Sequence, residues 1–140
     1  MGGKRPLSQI DGSAGADLGG GVVENFGIKN AYYPVVTVSA AGTTETVDLA
    51  GAPFYEITLD ENVTISFSNP PASGKAGVVT LILKQDGTGT NTVSWGDTIL
   101  WAGGSAPTIT ATGNAVDVLF LFTIDGGSAW YGFVCGQDMS

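Results

Sequence analysis

At 140 residues the chain has room for one domain with a real hydrophobic core and little space for a second. Apolar residues make up 43% and charged residues 13%, the reverse of the low hydrophobicity and high charge that mark disorder. The net charge of −8 lies wholly beyond residue 30: Lys4, Arg5 and Lys29 cancel Asp11, Asp17 and Glu24, while ten carboxylates outweigh Lys75 and Lys84 in the remainder. Repulsion over most of that surface excludes nucleic acid as a partner of the folded part.

Residues 1–33 carry Gly every few positions, and their apolar residues are sparse and without period. Neither helix nor strand is supported there. A segment of this kind buries little against a high backbone-entropy cost, so neighbouring chains are expected to support it as an extended attachment arm. Its candidate contact residues are Lys4, Arg5, Leu7, Ile10, Leu18 and Phe26. The first twenty residues lack the apolar core of a secretory signal. The longest apolar stretch, Val118 to Phe122, is too short to cross a bilayer, so a soluble protein without membrane insertion is expected.

From residue 34 to 140 strand follows strand. Pro34–Ser39 and Thr43–Leu49 flank Ala40-Ala41-Gly42, which predicts a hairpin. In Phe54–Leu59 the residues Tyr55, Ile57 and Leu59 share one face, and Asp60-Glu61-Asn62 turns the chain into Val63–Ser68, with Val63, Ile65 and Phe67 on one face. Asn69-Pro70-Pro71-Ala72-Ser73-Gly74 is a loop, because Pro donates nothing to a ladder. Val78–Leu83 is apolar almost throughout, as in a central strand covered on both faces. Asp86-Gly87 turns it towards Thr90–Trp95. Ala115–Ile124 and Ser128–Cys135 are joined by Asp125-Gly126-Gly127, a strong hairpin signal. Cys135, the single cysteine, is expected to be a small buried hydrophobe. With about nine strands and no helix, the domain is predicted to be all-β, an antiparallel β-sandwich or jelly-roll-like fold.

A search for chemistry finds little. The chain has no His, which removes Ser-His-Asp and Cys-His nucleophile systems and nearly all zinc sites. Gly15 to Gly21 neither follows a strand nor opens a helix, so a dinucleotide site fails its own context. Ser73-Gly74-Lys75-Ala76 resembles the tail of a phosphate loop but has Ala76 where Ser or Thr would hold magnesium. Asp60, Asp86 and Asp125 fall at turns, where Asp bonds nearby backbone. Asp117 interrupts an apolar strand, either facing solvent or capping a neighbouring loop. An acid pair for glycoside hydrolysis or a calcium site from turn aspartates is a lesser alternative. No enzyme, cofactor or metal is expected. Trp95, Trp101 and Trp130 surround Gly103-Gly104 and Pro107; such indoles cap a sandwich core, with a glycan platform as the second use.

An ordered series across the chain resembles the C-terminal β-module of bacteriophage tail fibres and other virion appendage and decoration proteins. It runs from Ile57-Thr58-Leu59 through Asn62–Pro71, Leu81–Gly89, Thr92–Trp95, Trp101–Thr108 and Ala115–Val118 to Asp125–Gly132. The resemblance implies a β-rich, commonly trimeric, cofactor-free virion protein with other capsid or tail proteins as partners. No shaft repeats or coiled-coil heptads precede the β-domain, which favours a short surface decoration or spike over a long fibre. The alternative is a receptor-binding domain that adheres to host-surface glycan.

Overall fold

A computed structural model of the protein describes residues 32–139, and residues 1–31 of the expected arm, with its contact residues Lys4, Arg5, Leu7, Ile10, Leu18 and Phe26, lie outside the described residues. Nine strands follow in chain order: β1 (Val35–Val38), β2 (Thr44–Asp48), β3 (Phe54–Leu59), β4 (Val63–Ser68), β5 (Gly77–Gln85), β6 (Val93–Trp95), β7 (Ile99–Trp101), β8 (Val116–Thr123) and β9 (Trp130–Gly136). They build a six-stranded sheet of order β1-β3-β5-β8-β9-β7 and a three-stranded sheet of order β2-β4-β6. The expected all-β, two-sheet class is what forms. Strand direction differs from an antiparallel sandwich.

Up to β6 the strands alternate between sheets, so that β1–β2, β3–β4 and β5–β6 are three turns of a two-stranded coil. Like strands of successive turns pair in parallel, β1 with β3 (Val36↔Tyr55), β3 with β5 (Tyr55↔Leu81), β2 with β4 (Glu45↔Ile65) and β4 with β6 (Ile65↔Trp95). A parallel pair needs a crossover, and here the strand in the opposite sheet supplies it. Ala40-Ala41-Gly42 is therefore no hairpin but an arch from one sheet to the other, as is Asp60-Glu61-Asn62. The physical reason is that a hairpin and an arch both join strands of identical two-residue alternation. Asp125-Gly126-Gly127 does close an antiparallel hairpin, β8 to β9, with φ of 75° and 85° at the two glycines.

Alternate residues of both sheets fill the gap between them. Val47, Ile57, Leu59, Ile65, Leu81, Leu83, Leu119 and Leu121 are at most 1% exposed. β5 is central, yet only one of its faces is covered: Val79, Leu81 and Leu83 are buried, while Val78 is 46% exposed. Tyr55 ties the sheets together at one edge, its hydroxyl donating to the Asp48 carbonyl at 2.8 Å and accepting from the Asp48 N–H at 3.0 Å.

Polar side chains close the ends of the coil. Asp60 accepts from the Gly42 N–H at 2.9 Å and so links one arch to the next. Asn62 accepts from the Thr92 N–H at 2.9 Å. Buried Gln85 donates to the carbonyls of Asn91 (2.8 Å) and Thr110 (2.9 Å) and accepts from the Asn91 N–H at 3.2 Å. Asp117, also buried, faces inward and accepts from the N–H groups of Thr110 (2.7 Å) and Asp138 (2.9 Å) and from the Gln137 amide (3.3 Å). Of the two roles expected for it, Asp117 takes the loop cap. Burial pushes its pKa up, but the hydrogen bonds outweigh burial and hold the carboxyl below the usual range. The Asn69 amide likewise lowers Asp48 and the Ala129 N–H lowers Asp125, whereas burial raises Glu45.

A lowered carboxylate pKa stabilises the fold above the unfolded value, near 4, and that stability fades as pH falls through the lower folded value. Glu45 acts in the opposite sense. Asp117→Asn is therefore expected to cost about 1–3 kcal/mol at neutral pH. The gap to the parent in denaturant melts should close as pH drops below about 4; a gap independent of pH would contradict the role given to the charge.

Candidate binding site

The three tryptophans meet at one end of the gap between the sheets. Trp130 on β9 stacks on Phe67 of β4, with centroids 4.3 Å apart; Phe67 stacks on Trp95 of β6 at 6.4 Å; and Trp95 meets Trp101 of β7 at 5.3 Å. This ladder crosses from one sheet to the other twice and seals the core, in the manner of aromatic pairs that prefer offset or tilted geometry. Asp97 anchors an inner member of the ladder by accepting from the Phe67 N–H at 2.8 Å.

Trp130 is 1% exposed, which corrects its assignment as a glycan contact: its ring is buried in the core against Phe67. The indole N–H groups of Trp95 and Trp130 are buried and meet no acceptor, so ring packing rather than hydrogen bonding decides their placement. Trp95 and Trp101 are half-buried. Trp101 lies flat across Gly132, its register partner on the neighbouring strand, where any Cβ would collide with the indole. An aromatic ring laid over a glycine on the next strand replaces the side chain the glycine lacks.

Beside Trp101 the chain forms a shallow depression of about 340 Å³, lined by Trp101, Ala102, Ser105, Pro107, Gly132, Phe133 and Val134. The 3-10 turn Ala102–Gly104 forms its rim. Its wall is apolar, and the lining holds no acid and no base, so it offers contact surface and no proton chemistry. Of the three tryptophans proposed for glycan contact, Trp101 alone lines this depression.

Phe133 and Val134 were not legible as site residues, because strict alternation would place one of them inside. The register of β8 with β9 slips between Val118↔Gly136 and Leu119↔Val134, and Cys135 is the extra residue of that bulge. Alternation ends there, and Phe133, Val134 and Cys135 are all exposed. The expectation of a buried Cys135 is thereby corrected. Two of the acids weighed for hydrolysis are occupied as caps: Asp86 accepts from the N–H groups of Thr88 (3.0 Å) and Gly89 (2.7 Å), and Asp125 from Thr123 Oγ1 (2.9 Å) and the Ala129 N–H (3.1 Å). Among the described residues no three of His, Cys, Asp and Glu gather as metal ligands.

Comparison with known proteins gives one family match, to the model described as "Putative phage tail fibre C-terminal domain", over residues 36–128. No curated protein and no solved structure matches the chain.

The close approach of Trp101 to Gly132 yields a direct test. Gly132→Val should displace the indole, lower stability by about 1–3 kcal/mol and weaken the near-ultraviolet circular dichroism of the tryptophans. An unchanged spectrum would mean that the ring does not rest on this strand.

Proposed function

The chain belongs to the phage tail fibre C-terminal domain family and is a virion component; from that premise we propose that it is a non-catalytic surface appendage or decoration protein, displaying its β-domain outward and docking on other virion proteins through residues 1–33. The observation that carries this reading is where the family match falls. Residues 36–128 span the coil and the start of the closing hairpin, and leave the Gly-rich segment outside the shared module. A module common to the family and a Gly-rich segment outside the match suit display and attachment respectively. The capping duties of Asp86 and Asp125 support the non-catalytic part of the reading, since they take these two carboxyls out of the pool that hydrolysis would need. The resemblance adds a homotrimeric assembly.

A second reading has one observation in its favour. The depression at Trp101 combines an indole and Pro107 with the Ser105 hydroxyl, a combination suited to the apolar face of a sugar. In that reading the domain is an adhesin for host-surface glycan.

The two are separable. Charge reversal at Lys4 and Arg5 should lower the copy number of the protein on purified particles, read by quantitative mass spectrometry; an unchanged copy number would remove these residues from docking. Ser105→Trp fills the depression from an exposed position and should abolish glycan-array binding at unaltered melting temperature if the adhesin reading holds. Release of saccharide from host envelope by the purified protein would overturn the non-catalytic assignment.

A further inference from the structure

The outward face of the six-stranded sheet takes no part in the core, and it borders the depression at Trp101 only through Phe133. Val35, Val78, Leu100, Tyr131 and Phe133 lie on it, between 38% and 55% exposed. At its centre Phe122 stacks on Tyr131 at 5.0 Å and on Phe133 at 6.1 Å, and Phe120 sits 6.1 Å from Phe122. Monomeric proteins rarely leave a contiguous apolar surface of this extent in water.

We propose that this aromatic sheet face is the surface through which copies of the chain meet one another; the inference rests on the homotrimeric reading above and names the face that reading requires. Three observations favour a second copy as the occupant. The first is charge. Beyond residue 30 the chain carries ten carboxylates against two lysines, so two such domains repel across most orientations. On the outward positions of these strands the charged side chains are Glu56 and Lys84, and they neutralise each other at 2.9 Å. This is a face on which like copies approach without stranding a carboxylate.

The second is area. Six strands about 4.8 Å apart and averaging about six residues at about 3.3 Å each cover roughly 600 Å². That is about three quarters of the roughly 800 Å² that each partner contributes to a stable interface. The third is composition. Four clustered aromatic rings are the side chains that dominate binding energy at interface centres. A saccharide would find few donors there, since the central positions are Phe, Val, Ile and Tyr with a single Thr, Thr80.

Sedimentation of the full chain over a wide concentration range tests this, with Phe133→Glu and Leu100→Glu placing carboxylates on the face and Thr46→Glu placing one on the other sheet. The parent and Thr46→Glu should associate alike, whereas each face variant should need at least about tenfold more protein to associate, with melting temperatures confirming the fold. Association unchanged in both face variants would overturn the assigned face while leaving the trimeric reading intact. A parent that stays monomeric would overturn both, and a hydrophobic dye then identifies the occupant: bright fluorescence means a different virion protein covers the face, and no fluorescence means residues 1–31 of the same chain do.

Discussion

Two sheets of unequal width must share one dry gap, and every other feature of the domain answers to that requirement. Ile57 and Leu59 on one side and Val47 and Ile65 on the other can be fully buried only if each turn of the coil stacks in register on the last. Parallel stacking brings like positions together, so the same two-residue alternation serves three turns. It also brings the polar ends of the arches together. Asp60 and Asn62 satisfy backbone groups of adjacent turns, and Gln85 satisfies the Asn91 N–H within its own turn, which an apolar side chain there would leave unpaired at a cost of about 1–3 kcal/mol.

Much of this is legible in the amino-acid order. Strands β3, β4, β5, β8 and β9 lie where alternation and β-branched runs place them, and Asp125-Gly126-Gly127 makes its hairpin. Direction of pairing is not legible. Ala40-Ala41-Gly42 has the composition of a tight turn, but whether its flanking strands bond to each other or face each other depends on partners far along the chain. The same holds for Val78–Leu83. An apolar residue at five of the six positions says that both faces are largely apolar, not that both are covered within one chain, and Val78 and Ile82 face outward.

The tryptophans show a different limit. Their proximity to Gly-rich turns marks an end of the sandwich, where the structure places all three. Which of them retains an accessible edge depends on a bulge at Cys135 and on the missing side chain at Gly132. Neither leaves a pattern in the sequence that distinguishes it from ordinary strand composition. The carboxylates were more readable: an Asp beside Gly at a turn is a cap before it is anything else, as Asp86 and Asp125 are here.

The hairpin of β8 and β9 lies between β5 and β7, although it follows both in the chain. During synthesis β7 leaves the ribosome before β9, the strand it bonds to among the described residues, exists. Its place in the sheet stays vacant until the last two strands wedge in beside β5. The coil of β1 to β6 can assemble turn by turn, but Trp101 finds Gly132 only when the end of the domain has emerged, so the tryptophan-lined end is the last part of the fold to be completed.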